Sequence, residues 1–213
     1  CTPPPPRPTP KLPPPCDGQV ITYTGAYEEE WVDAWSDATG VVVAEGVKHV
    51  GYRAFMECSR LGSTGFLRGT EVESVGEEAF RGSGVVDLLG MGGVRQLDDL
   101  AFAQCDELLT LEGLAPDLGW GRSRMGDNCF AHCHSLRSLK HWPPSMTYIP
   151  EGTFQDCRSL TTVGCDLSNV TSIGGNAFLD CTSLLPPELC EYDEYGENSD
   201  AILAHLKRKF REE

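Results

Sequence analysis

The chain is poor in positive charge and in long apolar runs. Its 213 residues carry 17 Lys and Arg against 32 Asp and Glu, a formal net charge of −15, so a protein that tracks phosphates or an anionic membrane is excluded unless the cations are segregated. They are not, because the only compact basic run is Lys207, Arg208, Lys209 and Arg211 near the end. No nucleic-acid partner is expected. No stretch of about 18 uninterrupted apolar residues occurs, which leaves no candidate for a membrane-spanning helix and no expectation of membrane insertion. Ten cysteines are too sparse for a disulfide scaffold. The chain also has no G-x-S-x-G elbow, no phosphate loop ending G-K-[ST], no H-x-x-x-H pair and no D-x-D-x-D-G calcium loop. No enzyme, cofactor or metal is therefore expected from motifs.

What is present begins with proline. Residues 1–16, CTPPPPRPTPKLPPPC, hold 9 of the 15 prolines and can neither pair in a sheet nor continue a helix, so they read as an extended tail or linker. Within it Arg7, Pro10 and Pro13 match the R-x-x-P-x-x-P spacing of ligands for SH3 grooves, which makes an intracellular adaptor one alternative function. Residue 1 is Cys rather than Met, which suggests a fragment, a processed chain or an incomplete gene model.

The dominant signal is a repeat. Aligned on phenylalanine, six segments match without an internal gap: VGYRAFMECSRL, VGEEAFRGSGVV, LDDLAFAQCDEL, MGDNCFAHCHSL, IPEGTFQDCRSL and IGGNAFLDCTSL. The anchors Phe55, Phe80, Phe102, Phe130, Phe154 and Phe178 are 25, 22, 28, 24 and 24 residues apart, a period that belongs to solenoids. An apolar residue stands five before each Phe and another six after it. Cys stands three after Phe in five copies (Cys58, Cys105, Cys133, Cys157, Cys181), and Ser83 takes that place in the second. One such segment is too short to close a core of its own, so stacked copies must share one.

The pattern I-G-x-x-A-F-x-x-C-x-S-L resembles the BspA-like class of leucine-rich repeats, over about residues 40–187. The resemblance implies an α/β repeat fold: a leucine-rich-repeat solenoid of about six coils, with short parallel strands on one face, helical or 3-10 turns on the other, and a C-terminal capping helix. It also implies surface adhesion or partner contact, and a cell-surface or secreted location.

The residues divide accordingly into a proline-rich tail (1–16), an N-terminal cap (17–46) containing Trp31 and Trp35, the repeats (47–190), and an acidic linker with a capping helix (191–213). Asn198, Ser199 or Asp200 can cap a helix from about Ala201 to Arg211, whose Ile202, Leu203, Leu206 and Phe210 fall on one side as a lid. Leu136 to Leu139 and Leu160 to Val163 read as the stacking strands. The segment 112–124, in the longest interval, should bulge as a loop.

Cysteines stacked about 4.8 Å apart cannot form disulfides, which need Cβ atoms about 3.8 Å apart and turned toward each other. The ladder thiols should therefore stay reduced as small buried side chains with a weak S–H donor. Off the ladder, Cys165 and Cys190 are the one candidate pair.

The segment NCFAHCHSLRSLKH offers Cys129, His132, Cys133, His134 and His141, but the ladder places Cys129 and Cys133 inside and the histidines elsewhere. A metal-dependent enzyme centred on 120–142 is thus only a remote alternative. The favoured function is a non-catalytic scaffold binding a protein partner or a surface glycan. Its candidate contacts are the link residues Arg137, Lys140, His141, Trp142, Thr161 and Thr162, with Trp142 as the exposed anchor.

Overall fold

A computed structural model describes residues 20–25, 35–119, 124–192 and 196–212. The proline tract, with Arg7, Pro10 and Pro13, and Trp31 lie outside the described residues, as does the 120–123 part of the long interval.

Each coil begins with a strand of two residues that ends on the apolar residue five before Phe. These are β3 (His49–Val50), β4 (Ser74–Val75), β5 (Gln96–Leu97), β6 (Arg124–Met125), β7 (Tyr148–Ile149) and β8 (Ser172–Ile173). In every one the second residue is buried and the first is not, the alternation of a half-buried strand. They pair in parallel as β3-β4-β5-β6 and as β7-β8, in a register that sets Val50 beside Val75 and Ile149 beside Ile173. Ahead of them β1 (Val20–Tyr23) and β2 (Gly40–Val43) form a further parallel pair.

The expected strands at 136–139 and 160–163 are not where the sheet lies. That part of the coil contributes one isolated bridge, Ser138 to Thr162. The reason is periodicity: Leu136 and Leu139 are both fully buried, and burial three residues apart suits a turn better than a strand of period two.

The other side of the coil is built from turns around each Phe, and they have a conformational rule of their own. The residues two before and two after Phe have positive φ in all six copies: Arg53 and Glu57, Glu78 and Gly82, Leu100 and Gln104, Asn128 and His132, Gly152 and Asp156, Asn176 and Asp180. This alternation aims the amides of Phe and of both flanking residues at the next coil. For the fourth coil the bonds are Asn128 N–H to Glu151 O (2.8 Å), Phe130 N–H to Thr153 O (3.0 Å) and His132 N–H to Gln155 O (2.7 Å). The same three bonds recur from each of the first five coils to the next. They run unbroken between the fourth and fifth coils, where β6 and β7 are not paired among the described strands.

Inside, the six Phe rings are fully buried and form one continuous stack, with neighbouring centroids 5.2, 4.9, 5.8, 6.0 and 5.3 Å apart. Offset stacking of this kind adds about 0.5–1.5 kcal/mol per pair beyond the area buried. Trp35 continues the stack at the N-terminal end, 6.0 Å from Phe55 and nearly parallel to it. Tyr23 packs on the same ring at 5.2 Å, and its hydroxyl accepts the Gly51 N–H at 2.7 Å.

Two intervals depart from the simple alignment. In the second copy the buried residue is Val85 rather than Val86; the coil is shortened where Gly84 lies so close to the chain above that a Cβ would sit 2.0 Å from Ser59 O. In the longest interval Leu111, Ala115 and Leu118 are buried in the common core. The described part of that segment thus folds back onto the stack instead of bulging away.

At the far end α1 (Ser199–Glu212) closes the solenoid. Ile202, Leu203 and Leu206 are buried in the common core, and the Lys207 ammonium donates to Val170 O at 2.8 Å. Phe210 is only half-buried.

Candidate functional site

The ladder cysteines are tied into the stack by a repeated contact. Four of the five donate to the carbonyl oxygen of the Phe one coil earlier: Cys105 to Phe80 (3.1 Å), Cys133 to Phe102 (3.3 Å), Cys157 to Phe130 (3.2 Å) and Cys181 to Phe154 (3.0 Å). Burial pushes the Cys105 and Cys157 thiols up to about 12 and raises Cys133 and Cys181 as well. Thiols held neutral in this way are neither nucleophiles nor ready metal ligands. Cys165 and Cys190 are free thiols too.

Cys129 is also fully buried, donates to Asp98 O at 3.2 Å, and has its pKa raised by burial. Cys129 and Cys133 thus turn inward, while His132 and His134 stay on the surface of the turn face. The histidines meet a residue that sequence spacing did not connect with them, Asp156. Its Oδ2 lies 3.1 Å from His132 Nδ1 and 3.1 Å from His134 Nε2, and Asp106 Oδ1 lies 2.6 Å from His134 Nδ1. Asp156 Oδ1 accepts from Arg158 Nε. Burial alone would raise the Asp156 carboxyl, but the bonds from His134, His132 and Arg158 outweigh it and hold the group below its ordinary value. Asp156 in turn raises the pKa of His134.

The link residues lie on a different surface. Arg137, Lys140, His141 and Thr161 are exposed and Thr162 is half-buried. Thr161 sits on Arg137, donating both its N–H (2.9 Å) and its Oγ1 (3.1 Å) to Arg137 O, so residues of two coils join in one patch. Trp142 does not serve as an exposed anchor. It is 6 % exposed, and its ring packs 5.7 Å from Phe154 of the next coil. It nevertheless lines one wall of a groove shared with Leu114, Pro116, Lys140, His141 and Phe210. Sequence reasoning found the Lys140–Trp142 side of this groove and missed the opposite wall, which comes from the long interval and from α1.

These coils match the profile of the BspA-type leucine-rich-repeat region in six copies, over residues 34–112 and 121–192. The chain belongs to this family. Its fold is shared with a leucine-rich cell surface protein from Faecalibacterium prausnitzii, at 23% identity and a TM-score of 0.56, over 79% of this chain and 46% of that one. A leucine-rich repeat protein from T. pallidum aligns over 91% of this chain and 75% of its own, with 19% identity and a TM-score of 0.57. One from Bacteroides ovatus aligns over 78% and 54%, with 20% identity and a TM-score of 0.50. The chain thus spans about half the length of two of these leucine-rich-repeat proteins. No curated protein sequence matches it. Among the described residues no helix is long and apolar enough to cross a membrane.

Proposed function

We propose that this BspA-type repeat protein is a non-catalytic docking scaffold that holds an extended segment of another protein along the groove beside Lys140 and Trp142. The observation that carries this reading is the groove itself: apolar surface from Leu114, Pro116, Trp142 and Phe210, with the exposed Lys140, His141 and Asp166 as its polar lining. A rigid stack loses little ordering entropy when a partner lies against it. In a chain of net charge −15 the exposed Lys140 ammonium in this groove favours an acidic residue beside the partner's apolar side chains. Its neighbour in fold, the F. prausnitzii protein, is described as a cell surface protein, and contact with an external protein partner is in keeping with that setting.

Panning the purified chain against a random-peptide display library, with a glycan array in parallel, tests the proposal. Expected are acidic peptides with apolar or prolyl side chains that lose binding to Lys140→Glu combined with Phe210→Ser. Enrichment of glycans alone, or peptides that bind the double variant equally well, overturns it.

A further inference from the structure

The group His132, His134 and Asp156 serves neither the core nor the docking groove, and its three ligand atoms lie close enough together to hold a metal ion. We infer that these three side chains bind one divalent ion of the zinc class on the turn face of the fourth and fifth coils.

The site is a consequence of the repeat. His132 and Asp156 both stand two residues after a Phe, in consecutive coils, with φ of 60° and 59°. The backbone bonds His132 N–H to Gln155 O and Asp156 N–H to Leu179 O, both 2.7 Å, fix the two turns in the same register. Side chains at one position of adjacent rungs must then lie side by side. His134, two residues further on, closes the group from the same coil. The three ligand atoms lie within 4.8 Å of one another. The two nitrogen-to-oxygen separations of 3.1 Å are close to the edge of about 3.3 Å spanned by tetrahedral ligands at 2.0–2.1 Å from zinc.

The surroundings complete the design. Asp106 holds Nδ1 of His134 and leaves Nε2 for the ion, the carboxylate–histidine arrangement that orients metal-bound imidazoles. Arg158 engages only Oδ1 of Asp156 and leaves Oδ2 free for the ion. His132 and His134 also line a surface pocket with Glu57 and Asp106, so both imidazoles can be reached from water. The donor set, two imidazoles and one carboxylate, suits zinc, nickel or copper over calcium and magnesium.

The test is titration of chelator-treated full-length chain with zinc chloride by calorimetry, together with absorption spectra after cobalt loading. Expected is one ion per chain, with binding lost in His134→Ala and in Asp156→Asn and weakened by about tenfold in Asp106→Asn. Asparagine tolerates the left-handed backbone at 156 and His134 is exposed, so both variants should fold, with Asp156→Asn melting somewhat below the parent without metal because the buried carboxylate is bonded by His132, His134 and Arg158. If Asp156→Asn fails to fold, His134→Ala decides alone. Cobalt should give d–d bands with no thiolate charge-transfer band, and Cys1→Ser with Cys16→Ser should bind as the parent does. Absence of saturable binding, unchanged affinity in His134→Ala, or thiolate charge transfer overturns the inference.

Discussion

Cys58 donates its thiol hydrogen to Trp35 O at 3.2 Å, the same contact that Cys105 makes with Phe80 O at 3.1 Å. Trp35 therefore occupies the place of a Phe in a coil that precedes the six found by aligning phenylalanines. Its ring, 1 % exposed, lies almost parallel to Phe55 and covers the end of the stack. A tryptophan in the phenylalanine place hid this step from the alignment, and the thiol-to-carbonyl contact together with the ring stacking reveals it.

Removing a ring from the middle of the stack should be costly. Phe102 lies between Phe80 at 4.9 Å and Phe130 at 5.8 Å, so Phe102→Ala opens a cavity with no side chain free to fill it. The expected loss is about 3–5 kcal/mol, measured by urea denaturation. Adjacent coils should melt in the same transition, because each coil is stable only through its neighbours.

The ladder thiols should be silent in the native protein. With Cys105 and Cys157 pushed up to about 12 by burial, a disulfide reagent at pH 8 should leave them unmodified until denaturant is added. Rapid native labelling of either residue would show that the thiol is not held in the stack.

Glu78 gives the fold a dependence on acid. It is 5 % exposed and bound by Arg53 Nε and by Arg81 Nη1 at 2.7 Å. Burial raises its pKa, but the bonds and charges of the two arginines prevail and lower it overall. A lowered native value means that the stabilisation is fully present above the unfolded value of about 4.3 and fades as pH falls through the native one. Melting temperatures of the parent should therefore exceed those of Glu78→Gln at pH 7 and converge with them below about pH 3. A gap that persists in acid would mean the carboxylate charge is not what the site uses.

Leu100 stands at a φ of 58° where the fourth and sixth coils use Asn128 and Asn176. A left-handed conformation costs an ordinary side chain about 1 kcal/mol, and asparagine less. Leu100→Asn should raise stability by up to about 1 kcal/mol in chemical denaturation. A loss would show that the half-buried Leu100 side chain contributes more by packing than its backbone costs.

Trp142 separates shape from hydrogen bonding. Its Nε1–H is buried with no partner among the described residues, so Trp142→Phe should be nearly neutral, whereas Trp142→Ala should lose about 3–5 kcal/mol through the cavity beside Phe154. Equal losses in the two variants would reveal a hydrogen bond to the indole.

The sequence by itself determined the repeat class, the six anchor rings, the inward cysteines and the capping helix, because each is a local pattern of apolar side chains repeated at one spacing. It did not locate the strands: which part of each coil pairs with the next is not written in the local pattern around Leu136 and Leu139, and is set only when the neighbouring coil is in place. The left-handed residues were equally hidden, since Arg53, Leu100 and His132 are not residue types that announce that conformation, and inter-coil hydrogen bonds hold them there. Trp142 reads as exposed in the sequence because nothing in its own segment shows that its ring packs on Phe154 of the next coil. The meeting of His132 and His134 with Asp156, and the closing of the groove by Leu114 and Phe210, were decided by tertiary structure alone. Both depend on which residues of different coils stack in register, and that register is set by backbone bonds between segments more than twenty residues apart.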